Sequence, residues 1–260
     1  MNLRVHHLDC GTMRPAVAPR MVAHVLLVER PDGLLLVDTG FGTGDIADPG
    51  RLGAAFRLAV RPDLDPGRTA LAQVRARGLD PADVTDIAVT HLDLDHAGGL
   101  ADFPEARVHV HAAELEAALR PRPRERARYV ADQWAHGPRW ATYPEAGEEW
   151  FGFAAVTALA DDVVLVPLPG HTRGHSGLAV RRADGHWLLH AGDAFFHRGQ
   201  LAAAPTCPAT LTAFQGLMAV DNTARRANVE RLRELALRHH DEVTVVCAHD
   251  AEQLRALQRD

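Results

Sequence analysis

The chain has 260 residues, enough for one large multi-layer domain with a sizeable core. A net charge of −6, with 47% hydrophobic and 24% charged residues, describes an ordinary globular protein and argues against nucleic acid as a partner. All 28 basic residues are arginine, which removes Schiff-base chemistry and a P-loop, since each needs a lysine.

The opening "MNLRVHHLDCG" lacks the charged start and apolar run of a signal peptide, and no stretch approaches the ~18 apolar residues of a membrane span. The expectation is a cytoplasmic protein with no membrane partner. Cys10, Cys207 and Cys247 are far apart and form no C-x-x-C pair, so free thiols are expected. Residues 22–38 hold two apolar β-type runs around a Pro-Asp-Gly turn, a hairpin whose second strand ends at Asp38-Thr39-Gly40. The periodicity then predicts an amphipathic helix over 69–77 and a strand near 86–90, and the strand runs into "THLDLDHAGGL". A strand at 107–110 and a helix at 112–119 repeat the order.

The stretch 120–150 breaks that rhythm. It begins with five arginines at alternate positions from Arg120 to Arg128 and gathers Tyr129, Trp134, Trp140, Tyr143 and Trp150. It reads either as a solvated, partly helical insertion anchored by its aromatics, or as a lid or homodimer surface, because aromatics and arginine enrich binding surfaces. Beyond it, "VVLVPLPGHTRGHSGLAV" and "GHWLLHAGDAFF" read as β-segments; a helix follows over 222–240, then a strand within 242–250 and a short closing helix.

Polar clusters recur where apolar strands end: His91, Asp93, Asp95 and His96; His171 and His175; Asp193; and His249. Read alone, the first loop is compatible with caps and turns. Four such clusters in this order point to a metal site, because imidazole nitrogen and carboxylate oxygen at about 2.0–2.2 Å suit Zn²⁺ and its neighbours.

On "VDTG", "THLDLDHAGGL", "GHTRGHSG", "HAGDAFF" and "CAHD" the chain resembles the metallo-β-lactamase superfamily of hydrolases, over most of its length. The resemblance implies an α/β fold of the αβ/βα four-layer sandwich type, a single domain over 1–260 with a lid-like insertion at about 120–150. It also implies a site for two divalent transition metals. By this resemblance His91, Asp93, Asp95, His96, His175, Asp193 and His249 occupy ligand positions, with Asp193 bridging, and His171 is structural or supports the site from behind. A metal-bound hydroxide would be the nucleophile and Asp95 the residue that orients it and shuttles a proton.

Asp93 departs from the pattern, standing where the family commonly has its second histidine. Either it ligates and makes the first subsite more anionic, tilting preference from zinc toward iron or manganese, or it leaves that subsite weak with one metal held, or the site is inactive. Asp38, at the end of its strand, is expected to support the site through hydrogen bonds. The expected function is hydrolysis of a small-molecule ester, lactone or thioester. The "HAGGL" and "HD" segments resemble lactonases of acyl-homoserine lactones, but Phe196 stands where those carry a tyrosine. Alternatives are an iron-dependent redox enzyme of the sulfur dioxygenase kind, a phosphodiesterase and a non-catalytic metal-binding protein.

Overall fold

The computed structural model describes residues 3–16, 18–144 and 147–259; positions 1, 2, 17, 145, 146 and 260 of the expected domain, two of them in the 120–150 stretch, lie outside the described residues. The first sheet contains β1 (Arg4–Met13), β2 (Met21–Arg30), β3 (Gly33–Val37), β4 (Pro62–Asp63), β5 (Val84–Ala88), β6 (Arg107–His111) and β7 (Arg139–Tyr143), in the order β4-β1-β2-β3-β5-β6-β7. The second contains β8 (Glu148–Trp150), β9 (Phe153–Ala160), β10 (Val163–Pro167), β11 (Ser176–Arg181), β12 (Trp187–His190) and β13 (Val243–Val246), in the order β13-β12-β11-β10-β9-β8. The helices are α1 (Thr43–Ala47), α2 (Ala54–Val60), α3 (Ala70–Ala76), α4 (Ala112–Leu119), α5 (Ala209–Met218), α6 (Asn222–Arg238) and α7 (Ala251–Leu257).

Strand alternation sorts the apolar residues into three buried layers. Leu26 and Val28 of β2, Leu35 and Val37 of β3 and Ala88 of β5 meet Val163, Leu165, Leu178, Val180, Leu188 and Val246 of the second sheet. On the outer face of the first sheet, Leu27, Leu36, Ile87 and Val108 pack against Ala70 and Val74 of α3 and Ala117 of α4. On the outer face of the second, Val166, Leu189 and Val245 pack against Val229, Leu232 and Leu235 of α6. The result is helix, sheet, sheet, helix, the expected αβ/βα sandwich. Because both faces of each sheet are covered, the central strands read as unbroken apolar runs rather than as alternation.

The hairpin forms as expected, with Arg30 paired to Gly33 across its turn. The 120–150 stretch does not stand apart from the sheets. Residues 139–143 are β7, which pairs parallel with β6, and Tyr129 and Trp134 are buried in the core under the first helical layer. The stretch thus holds a short 3-10 turn at Ala131–Trp134, with Tyr129 and Trp134 buried, and supplies one edge strand to each sheet, β7 to the first and β8 to the second.

Parallel pairing sets the place of the site. β3 and β5 are parallel in the first sheet, and β12 and β13 in the second; β10 runs with them because β10/β11 and β11/β12 are antiparallel. The C-terminal ends of these five strands therefore gather at one edge of the sandwich, where loops can converge without breaking the ladders.

Candidate metal centre

The loop after β5 carries His91, Asp93 and His96, all buried, and Asp95, whose side chain is 13% exposed. The β10–β11 loop brings His171, the turn after β12 brings Asp193, and the end of β13 brings His249. Their ligand atoms form three overlapping groups, each within 4.8 Å: His91, Asp93 and His171; His91, His96 and Asp193; and Asp95, His96 and His249. Asp193 is central. Its Oδ2 lies 3.8 Å from His91 Nε2 and 3.4 Å from His171 Nε2, and its Oδ1 lies 3.3 Å from His96 Nε2 and 3.0 Å from His249 Nε2.

Three of the histidines are oriented by the same device. His91 Nδ1 donates to Thr90 Oγ1 at 2.9 Å, His96 Nδ1 to Asp38 Oδ2 at 2.9 Å, and His249 Nδ1 to the Val22 carbonyl at 2.8 Å. With Nδ1 occupied, each ring turns Nε2 and its lone pair into the cluster. His91 Nε2 and His96 Nε2 are buried with no hydrogen bond from the protein, a combination folded proteins avoid unless another ligand meets those atoms. Asp38 also accepts from the Thr90 amide at 2.7 Å and the Thr90 hydroxyl at 2.8 Å, so it supports the site as expected. It holds this position at φ 60, a left-handed conformation that costs an ordinary residue strain.

The two histidines of "GHTRGHSG" exchange their expected roles. His175 Nδ1 donates to the Leu168 carbonyl at 3.0 Å and Nε2 accepts the Asp193 amide at 2.9 Å. Both ring nitrogens are spent on backbone, which leaves no lone pair for a metal; His175 instead fixes the turn that presents Asp193. His171 takes the place in the cluster, with Nε2 3.0 Å from Asp93 Oδ2. The tight turn beside it requires glycine: Gly192 has φ +51, and a Cβ there would sit 2.7 Å from His175 Nε2.

Sequence reasoning missed two supporting residues. Glu114 of α4 is fully buried and accepts from the Leu92 amide at 2.9 Å, the Thr172 hydroxyl at 2.6 Å and the Gly174 amide at 3.2 Å, clamping the first ligand loop to the second. Arg128, one of the alternating arginines, places Nε 3.3 Å from Asp93 Oδ1. Neither has a local sequence signal, because each acts on loops distant in the chain. His197 accepts the Gly199 amide and caps a short turn, Cys247 is core, and Asp250 caps α7 and pairs with Arg198.

The electrostatics are those of a cation site. Burial alone would raise the Asp193 carboxyl, but the imidazoles of His249, His96 and His171 outweigh it and hold the group well below the usual carboxylate range. Burial of Asp93 is likewise outweighed by Arg128 and then His91. His96 goes well above its ordinary value because Asp193, Asp38 and Asp95 overcome burial, and His249 is raised against burial by Asp193. Burial, with His91 and His171 nearby, pushes His175 well down, while burial pushes His171 down to about 4. The same carboxylate pull that keeps protons on His96 and His249 recruits a divalent cation, and the mixed nitrogen and oxygen donors fit one of the zinc type.

Comparison with known proteins agrees with this geometry. The family model of the metallo-beta-lactamase superfamily matches residues 18–249. A probable metallo-hydrolase of Mycobacterium tuberculosis is 47% identical over 99% of this chain and 83% of its own length. An N-acyl homoserine lactonase of Rhizobium radiobacter is 27% identical over 87% of this chain and 81% of its own length. Among solved structures, an N-acyl homoserine lactone hydrolase with N-hexanoyl-L-homoserine at its catalytic metal centre superposes with a TM-score of 0.77 at 20% identity, covering 98% of this chain and 97% of the other.

Proposed function

The chain belongs to the metallo-beta-lactamase superfamily and is a metallo-hydrolase of its lactonase-like branch, and from that premise we propose that it hydrolyses the ester bond of a small lactone. The observation that carries this reading is the pair of triads around Asp193. His91, Asp93 and His171 offer donors for one divalent cation, zinc by donor type, and Asp95, His96 and His249 for a second. Such ions, when bound, supply Lewis-acid polarisation of the carbonyl and an activated water at neutral pH.

The protein's own groups do the rest. Thr90, Asp38 and the Val22 carbonyl lock the three imidazoles, so the donor set needs no rearrangement when it is loaded. Asp95 is the most exposed carboxylate of the cluster, which suits it to take a proton from water and return it to the departing alkoxide. Phe196 packs its ring 4.6 Å from that of His249 and is buried among Leu94, Leu211 and Phe214. It gives the site an apolar wall and no hydroxyl, so protonation of the leaving group falls to Asp95.

The test is acid release from a panel of lactones, linear esters and thioesters, followed by pH-stat. Lactone opening is expected, lost in chelator and restored by zinc, and Asp95→Asn is expected to lower kcat by about 10²–10⁴-fold. Oxygen uptake with a persulfide, without turnover of any ester, would place the chemistry in iron-dependent oxidation instead.

A further inference from the structure

Asp93 brings a negative charge to a position where the resembling pattern has a neutral ring, and Arg128 lies against it. The two carboxylate oxygens are divided between different partners. Oδ2 lies 3.0 Å from His171 Nε2 and 3.6 Å from His91 Nε2, whereas Oδ1, buried and without a hydrogen bond among the described residues, has the charge of Arg128 Nε at 3.3 Å. The guanidinium is not free to leave. Its Nη1 donates to the His171 carbonyl at 2.8 Å and its Nη2 to the Met218 carbonyl at 2.7 Å, and the side chain is 6% exposed. A guanidinium keeps its charge at every accessible pH, so whatever it offsets stays offset.

On the reading that the cluster holds metal, we propose that Asp93 and Arg128 act as one unit in place of a neutral imidazole. Arg128 is a positioning residue: its guanidinium lies against the Oδ1 side of Asp93 as an ion pair and offsets the carboxylate charge. The subsite then keeps the charge of a nitrogen-ligated site and favours zinc, although its ligand is a carboxylate. Asp93 taken by itself predicts the opposite, a harder and more anionic site that favours manganese or iron. A second consequence is coupling. Arg128 holds the backbone of His171 while it holds the side chain of Asp93, so two donors of the first triad are set by one residue.

Four variants test this: Asp93→His, Arg128→Met, the double variant, and Arg128→Lys, each loaded by equilibrium dialysis with zinc and with manganese, with bound metal counted and folding followed by circular dichroism. Asp93→His alone leaves an arginine charge facing a neutral ligand, and first-subsite zinc affinity is expected to fall by about 10–100-fold. Adding Arg128→Met removes that charge and is expected to recover about tenfold of the lost affinity, the shortfall from the parent being the lost hold of Arg128 on the His171 carbonyl. Arg128→Met alone is expected to shift the zinc-to-manganese preference toward manganese by about tenfold, and Arg128→Lys, which keeps the charge, to hold the preference near that of the parent.

A double variant no better than Asp93→His overturns the proposal. So does an unchanged metal preference in Arg128→Met, or, if that variant does not fold, a preference in Arg128→Lys that has moved to manganese. A parent protein that binds neither metal would instead remove the functional reading on which the proposal rests, so the two failures are distinguishable.

Discussion

The loop after β5 and the loop between β10 and β11 look alike in sequence: each places two histidines among small and polar residues behind an apolar strand. They are used differently. In the first loop both histidines turn Nε2 into the cluster, because Thr90 and Asp38 occupy their Nδ1 atoms. In the second only His171 does so, and His175 spends both nitrogens on the Leu168 carbonyl and the Asp193 amide. What separates His175 from the others is that a backbone amide, that of Asp193, reaches its Nε2, and that is a tertiary fact.

The sharpest way to break this comparison is to remove each histidine of the second loop in turn. His171→Ala is expected to lower lactone turnover by about 10²–10³-fold, since several kcal/mol of charge stabilisation depend on an intact site. His175→Ala is expected to act first on the fold, costing about 2–4 kcal/mol in denaturant unfolding as two buried backbone groups lose their partners. Equal stability losses in the two variants would erase the distinction.

The next largest effect concerns the first loop. Asp38→Ala leaves Thr90 and His96 without their common acceptor, and metal affinity measured by competition with a chromophoric chelator is expected to fall by about 10–100-fold. A variant with parental affinity would mean that His96 is oriented by packing alone.

His24 extends the comparison to a histidine outside both loops. It is buried, and burial, then His190 and His7, push it well below its ordinary value of 6.5. Its folded-state value lies below its unfolded one, so its contribution to stability is complete above about pH 6.5 and is lost as the pH falls below that. Between pH 7 and pH 5 the parent in chelator is expected to lose more stability than His24→Gln, with a slope of at most about 1.4 kcal/mol per pH unit below 6.5. Parallel pH curves for the two proteins would contradict the assignment. The smallest effect is expected at Phe196: Phe196→Tyr restores a hydroxyl beside His249 and should raise lactone turnover by up to about tenfold, the worth of one added hydrogen bond.

Legibility from sequence followed locality. The 22–38 hairpin, the strand and helix at 107–119 and α6 were visible because their signals are contained in a few residues of periodic pattern. β1 was not, since "RVHHLD" carries polar residues and becomes a strand by pairing with β2. The helices α1, α2 and α5 were not among the expected elements, and β7 was hidden in the arginine- and aromatic-rich stretch because an edge strand needs a neighbour to be recognised. At the site, His91, Asp93, Asp95, His96, Asp193 and His249 stand at strand ends that the sequence marks, and the fold brings them together. The choice between His171 and His175, the clamp by Glu114 and the pairing of Arg128 with Asp93 depend on contacts between distant segments.

On the proposed function the cluster around Asp193 holds two divalent cations, with His171 rather than His175 among their ligands. Metal content of protein purified without chelator tests it most directly, with folding checked in parallel. Two equivalents are expected in the parent and in folded His175→Gln, and one in His171→Gln. Two equivalents in His171→Gln together with one in His175→Gln would contradict it.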